Sequence, residues 1–431
     1  MLHDDEALDR PGLPRLEDLA DPAFDPFTAD ALAWGDTLDP YQRIRELAAE
    51  YWLYPGEYRR LFVDATSATT EGRDFQYFTI FGYDKCHAAL TNPEVFSNWA
   101  HTLGLGISFG KSLSTLDPPE HTQYRRIFQK AFLPHIVRQW SESLVEPVIM
   151  ELLDKIVDRG RCDLVQDFAL HYPFQIIFRQ LDLPTEDIAL FHKLAVAQTA
   201  YHAAPAVAAE AGRKLGAYFS AMVQQRRKNP GDDLVSTLAV AEVDGERLPE
   251  DVVVSFLRQL TNAGGDTTYR ATSCLLTGLL QHPDQLEAVR RDRSLVTAAI
   301  DEALRMEPPV SAIPRWTMRE ITMDGLTIPK DAHVEVCLWS ANRDPAKFTD
   351  PDRFDIFRDN AQRHLAFNTG PHVCIGQHLA RIEMDRALNA VLDRLPALRL
   401  DPAMPPPEIR GFNLRTPRHL HVRFAPQTQN P

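Results

Sequence analysis

A mainly α-helical chain with small β-sheet regions, folded as one large domain, is what this sequence predicts. Over 119–228 the residues follow successive amphipathic helical patterns, broken at Pro134, Gly160, Pro173 and Pro184. A second long helical block spans about 249–280. Strand and turn chemistry lies on both sides of this helical middle, and no internal repeat or low-complexity linker divides the chain. A single fold with a small sheet region accounts for that arrangement better than separate domains.

Taken in order, residues 1–38 are rich in Pro and Asp and are expected to form an arm over the surface, with the folded domain spanning 39–431. A helical pattern begins near Tyr41. Strand-like runs over 61–65 and 75–81 follow, and the second ends in Phe81-Gly-Tyr-Asp, a helix start. Gly104-Leu-Gly-Ile-Ser-Phe-Gly110 has the look of a nucleotide loop. Its spacing is wrong and no strand–turn–helix unit surrounds it, so a flexible loop is expected there. Strand and turn chemistry returns after Pro308 and again after Leu398.

Hydrophobic residues make up 44% of the 431 and charged residues 25%, enough for a sizeable core. A net charge of −14 disfavours non-specific binding to nucleic acid or a membrane surface. The five cysteines are scattered and form no C-x-x-C, so no disulfide framework is expected, and the usage suits a reducing compartment. The first residues are charged and lack an apolar core, and no run of roughly 18 apolar residues occurs. A cytoplasmic location is therefore expected.

The most informative stretch is His364-Leu-Ala-Phe-Asn-Thr-Gly-Pro-His-Val-Cys374-Ile-Gly-Gln-His-Leu-Ala-Arg381. Cys374 lies in a turn built from Gly370, Pro371 and Gly376, and a helix-forming run follows at once. That places the sulfur beside the first N–H groups of a helix, where a thiolate is favoured. A lone thiolate cannot build a tetrahedral zinc site or an iron–sulfur cluster, but it can serve as the axial ligand of a haem iron. Taken alone, Cys374 reads equally as a buried small hydrophobe.

Phe367, Gly370, His372, Cys374 and Gly376 fit F-x-x-G-x-H-x-C-x-G, which resembles the haem-binding loop of the cytochromes P450, the haem-thiolate monooxygenases. Asn368 stands where that family often has glycine, and Asn tolerates a left-handed backbone. The resemblance implies haem b (iron-protoporphyrin IX) held between the long central helix and the helix after the cysteine, with Cys374 as the iron ligand. It also implies Ala263, Phe367 and Gly376 against the cofactor.

Three further segments stand in the family's order. Ala263-Gly-Gly-Asp-Thr-Thr268 puts two glycines in mid-helix, each costing roughly 1 kcal/mol relative to alanine, which suggests a bulge or a close approach. A helix break capped by Asp266 is the competing reading. The resemblance assigns Thr267 to an oxygen-binding groove and Asp266 to proton delivery. Glu302-Ala-Leu-Arg305 places two opposite charges one turn apart, and the family pattern joins them in a buried structural network with Arg353 of Pro351-Asp-Arg353-Phe354. His121, Arg125, Arg315 and His372 match the family's cationic partners of the haem propionates.

The expected activity is insertion of one atom of O2 into an apolar organic substrate (terpenoid, fatty acid, steroid or aromatic). No ferredoxin-like cysteine cluster occurs, so electrons are expected from an iron–sulfur ferredoxin and its NAD(P)H-dependent reductase, with a flavodoxin as second choice. A peroxide-using peroxygenase and a non-catalytic haem sensor or carrier are the alternatives; a proton relay at Asp266-Thr267 suits neither. By family position, residues 99–109, 188–218, 310–313 and 412–414, with Asn262 and Ala263, line the substrate pocket, and most of them are apolar.

Overall fold

In the computed structural model, which describes residues 35–427 except 65–66, 185–186 and 244, helices fill the two expected blocks and short strands flank them. Residues 1–34, most of the expected arm, lie outside the described residues. The helices that position the site are α1 (Tyr41–Glu50), α2 (Tyr83–Leu90), α3 (Leu105–Phe109), α4 (Glu120–Phe128), α5 (Tyr172–Gln180) and α6 (Pro205–Lys228). They are followed by α7 (Glu250–Ala263), α8 (Asp266–Gln281), α9 (Val296–Met306), α10 (Leu338–Asn342) and α11 (Gln377–Arg394). α8 runs through the centre, packed against α5, α9 and α11. Nearly all of its side chains are buried, as a helix surrounded by others requires.

Six short strands matter here: β1 (Leu53–Tyr54), β2 (Tyr77–Ile80), β3 (Phe96–Ser97), β4 (Arg161–Asp163), β5 (Ala312–Thr317) and β6 (His333–Cys337). Five of them form a sheet in the order β1-β2-β6-β5-β3. β2 and β6 run parallel and the other neighbours antiparallel. β4 lies inside the long helical block, where no strand was expected, and pairs with His421–Arg423. Among the described residues, no helix is long and apolar enough to cross a membrane.

Two local expectations fail, each because packing overrides pattern. Residues 61–64 form no strand, and Ala65 of the expected run lies outside the described residues. The chain turns through a 3-10 segment at Arg59–Leu61, and Phe62 stacks on Phe412 with ring centroids 5.8 Å apart. Leu61, Phe62 and Val63 are half-buried without joining a ladder. Residues 104–110 are not a loop either, because α3 occupies them. α6 meets α3 so closely at Gly212 that a Cβ there would lie 2.4 Å from the Ser108 carbonyl oxygen. Tertiary contact supplies what the glycine-rich segment lacks in helix propensity.

The Glu302–Arg305 pair is as buried as expected. Arg305 Nε and Nη2 meet the two carboxylate oxygens at 2.7 and 2.8 Å, and the guanidinium also donates to the carbonyls of Asn342, Pro351 and Arg353. The third charged member is Arg358, not Arg353. Arg358 Nε lies 3.2–3.3 Å from both Glu302 oxygens, whereas the Arg353 side chain is 65% exposed and pairs with Asp355. Arg353 contributes its backbone carbonyl alone. The turn of the chain at 350–355 points its side chain outward.

Ser340-Ala-Asn-Arg-Asp-Pro345 ties this region to the sheet and to the cysteine loop. Ser340 Oγ and Asp344 Oδ2 accept the N–H groups of Gly82 and Tyr83 at the start of α2. Asn342 Oδ1 accepts the N–H of Leu365 at 2.7 Å. Each such cap is worth about 1 kcal/mol.

Candidate active site

The cysteine loop is held by its own backbone. Cys374 N donates to Phe367 O at 2.8 Å, and Asn368 N to Leu365 O at 2.8 Å. Asn368 has φ of 62°, the left-handed conformation that Asn adopts more readily than most residues. α11 begins at Gln377, so the sulfur meets the backbone N–H groups of Gly376 and Gln377. Burial nevertheless pushes the Cys374 thiol above its ordinary value, against the pull of those N–H groups and of the Arg125 guanidinium. The helix start alone does not make a thiolate here; a cation at the sulfur is needed to outweigh desolvation.

Cys337 qualifies the expectation further. It stands at the N-cap of α10, and its sulfur also meets N–H groups of a helix start, those of Ser340 and Trp339. Burial pushes it up to about 12, and it lines neither of the cavities described below. Turn chemistry therefore does not separate the two cysteines, whereas access to a cavity does.

Cys374 opens onto a cavity of about 330 Å³. One wall is α7 and α8 at Ala263, Gly264 and Thr267, and the opposite wall is the loop carrying Phe367, Cys374 and Gly376. The expected helix distortion is present: α7 ends at Ala263 and α8 starts at Asp266. Its cause is a close approach by protein. A Cβ on Gly264 would lie 2.5 Å from Ile177, and one on Gly265 2.3 Å from Phe174, so α5 presses on the central helix from behind. Thr267 Oγ1 donates to Ala263 O at 2.9 Å and stands at the cavity wall.

Asp266 is not a cap. Its carboxylate receives Arg270 Nε and Nη2 at 3.0–3.2 Å in a buried pair, and Arg270 also donates to Leu414 O.

At one end of the cavity the expected cationic groups converge. His121 and Arg125 sit one turn apart on α4, as their spacing requires, and the rings of His121 and His372 are 4.1 Å apart. Both ring nitrogens of His121, Nε2 of His372 and Nη2 of Arg315 are buried without a hydrogen-bond partner among the described residues. Burial, then the Arg125 charge, lowers His121 to about 4. Burial, then His121 and Arg315, lowers His372 to about 2. Arg315 lies behind the wall, with burial pulling it down to about 10. Asn98, bonded to His372 Nδ1 at 3.1 Å, and His101 join this end; His101 falls in the expected pocket segment 99–109, and Asn98 was not foreseen. Both lie in a 3-10 segment, Asn98–Leu103, with no motif to mark it.

These residues fit a haem. Orphaned donors gather where carboxylates would lie, a thiol faces the middle of the cavity, and Leu260, Leu304, Val373 and Leu379 supply apolar walls. A second cavity of about 230 Å³ shares His101, Leu105, Ala263, Thr267, Val310 and Ile313 with the first. Leu103, Phe109, Asn262 and Phe412 line it as expected, and Glu57, Arg59, His333 and Glu335 add a polar end that the sequence reading missed.

Comparison with known proteins gives the family. The Cytochrome P450 family model matches residues 206–421. Cytochrome P450 monooxygenase PikC of Streptomyces venezuelae is 34% identical over 400 residues, covering 89% of this chain and 91% of the relative. Cyclomarin C epoxidase CymV of Salinispora arenicola (strain CNS-205) is 33% identical over 360 residues, covering 80% and 90%. Among solved structures, the bacillaene polyketide synthase cytochrome P450 PksS of Bacillus subtilis 168 has a TM-score of 0.80 at 28% identity, covering 90% of this chain and 97% of that one. The chain belongs to the cytochrome P450 family of haem-thiolate monooxygenases.

Proposed function

We propose that this monooxygenase inserts one oxygen atom of O2 into the apolar part of a biosynthetic product, with haem b as cofactor and electrons from a ferredoxin and its NAD(P)H-dependent reductase. The observation that carries the reading is the shared wall. Ala263 and Thr267 face the Cys374 cavity on one side and the second chamber on the other, so a substrate lodged there would lie next to a haem held at Cys374. Haem bound at Cys374 supplies the iron that binds and activates dioxygen.

The chain's own residues do the rest. His121, Arg125, Arg315 and His372 hold the two carboxylates. Phe367 covers the sulfur side, with the Arg381 guanidinium 5.1 Å above its ring. Val310, Ile313 and Leu105 exclude water at the shared wall. The Thr267 hydroxyl, which donates to Ala263 O, would turn from that acceptor to hold a proton at the cavity wall, and Asp266 would resupply it. Because Asp266 is clamped by Arg270, proton delivery requires its carboxylate to turn from that partner. The names of CymV, an epoxidase of cyclomarin C, and of PksS, from a polyketide synthase, support a tailoring role.

Replacing Cys374 with Ser tests the reading. Loss of the red-shifted ferrous–CO band and of product formation is expected, while Cys337→Ala keeps both. Retention of the band in Cys374→Ser would assign the ligand to another residue.

A further inference from the structure

The wall that the second chamber shares with the Cys374 cavity mixes Leu105, Ala263, Val310 and Ile313 with His101, Ser114, Gln259 and Thr267, and Glu57, Arg59, His333 and Glu335 lie away from it, at the polar end. β6 brings His333 and Glu335, two residues apart on one strand face, to that polar end, and the segment after β1 brings Glu57 and Arg59. The Glu57 carboxylate accepts the N–H of Ser67, yet its Oε2 is buried with no hydrogen-bond partner among the described residues. His333 is 7% exposed, and its Nδ1 is likewise unpartnered, 3.7 Å from Glu335 Oε1.

The ionisable groups facing this space are coupled. Burial, then the negative charge of Glu57, pushes Glu335 up to about 8, with Arg315 pulling it back. Burial lowers His333 to about 4 and His202, bonded to Ser67 Oγ, to about 3, so both imidazoles are neutral at physiological pH. Arg59 is the cation at hand. It stacks over Phe412 at 5.2 Å and offsets Glu57, while Arg315 is the cation that acts on Glu335. An anionic ligand would meet the Glu57 carboxylate, and a neutral one would leave Glu335 protonated beside it. A ligand cation offsets the Glu57 charge and favours ionisation of Glu335.

We propose that this end of the chamber is a subsite for a cationic amine, so that the substrate is an apolar body carrying a basic nitrogen held between Glu57 and Glu335. The inference rests on the chamber being the substrate site proposed above. Anchored at β6, the nitrogen leaves the apolar body along Ala263, Val310 and Ile313, so the anchor selects which carbon meets the iron.

The test titrates haem-loaded protein with three ligands that share a decyl chain and differ in head group: trimethylammonium, hydroxyl and carboxylate. The quaternary head neither titrates nor ligates iron. Calorimetry is expected to give binding about tenfold tighter for the cation than for the alcohol, and weakest for the carboxylate. In Glu57→Gln and in Glu335→Gln the preference for the cation is expected to fall to about twofold, with the alcohol's affinity unchanged. Cation binding at pH 7 is also expected to release protons from Glu335 in the parent and not in Glu335→Gln, read from the dependence of the heat on buffer ionisation. Equal affinities for the three heads in the parent, or a cation preference that survives both substitutions, would overturn the proposal. Oxidation of decanol without head-group discrimination would sink this subsite and leave the monooxygenase reading standing. Glutamate-dependent cation binding without any oxidation would do the reverse.

Discussion

Glu335 shows at single-residue scale what a binding site costs the fold. Its folded pKa is raised to about 8, while an unfolded glutamate titrates near 4.5. A carboxyl whose folded pKa is raised favours folding at pH below the unfolded value and loses that contribution as pH rises through the folded one. The window is therefore pH 4.5 to 8, and the penalty at pH 7 is about 3 kcal/mol, at 1.36 kcal/mol per pH unit. Glu335→Gln is expected to raise the thermal midpoint at pH 7–8 and leave it unchanged below pH 4; equal midpoints at both ends would show the carboxyl to be solvated. Thr267 and Asp266 separate by a different measurement. Thr267→Ala removes one hydroxyl from the cavity wall, so haem and ligand binding are expected to persist while electrons are diverted into peroxide. Asp266→Asn is expected to slow oxygen activation and also to lower stability by about 3 kcal/mol, because the buried Arg270 loses its counter-charge. Product per NAD(P)H, with thermal midpoints alongside, distinguishes the two. Unchanged coupling in both would reduce the segment to a structural break.

At the scale of elements, the sequence made visible what periodicity and local motifs encode, and little that depends on distant partners. The helical blocks, the break after Ala263 and the pairing of Glu302 with Arg305 all follow from spacing within one segment. The cause of the break was hidden, because Phe174 and Ile177 come from a helix about 90 residues earlier. β4 and α3 were missed for the same reason: a three-residue strand and a glycine-rich turn of helix exist through what they pack on. The polar end of the chamber was illegible, since Glu57 and Glu335 carry no motif and meet only when β6 pairs with β2. Arg358 was overlooked because the family pattern draws the eye to Arg353. Substitution tests that correction. Arg358→Ala leaves Glu302 short of a buried partner and is expected to cost about 3 kcal/mol or more, whereas Arg353→Ala, on the surface, is expected to stay within about 0.5 kcal/mol. Denaturation midpoints of the haem-loaded proteins measure both, and the reverse order would restore Arg353 to the network.

The whole molecule carries a net charge of −14, yet basic residues cluster in the segments around Arg125 and the cysteine loop. The fold shrinks that group. Arg125 lines the cavity, His364 is buried, and Arg381 is paired with Asp301. Arg126, Lys130, Arg363 and His378 remain exposed. A small positive patch on an acidic protein steers an acidic electron carrier to one face, while the rest of the surface repels it. On this reading the patch sets the encounter rate and contributes little to haem binding. Arg126→Glu combined with Lys130→Glu replaces two attractive charges by two repulsive ones without touching the cavity. Slower reduction by ferredoxin is expected at low ionic strength. The rates of parent and variant should converge as salt screens the exchange, with a Debye length falling from about 30 Å at 0.01 M to about 3 Å at 1 M. Stopped-flow reduction across that range, with the haem spectrum as a control for an intact cavity, decides the matter: identical salt profiles for the two proteins would place electron entry on another face.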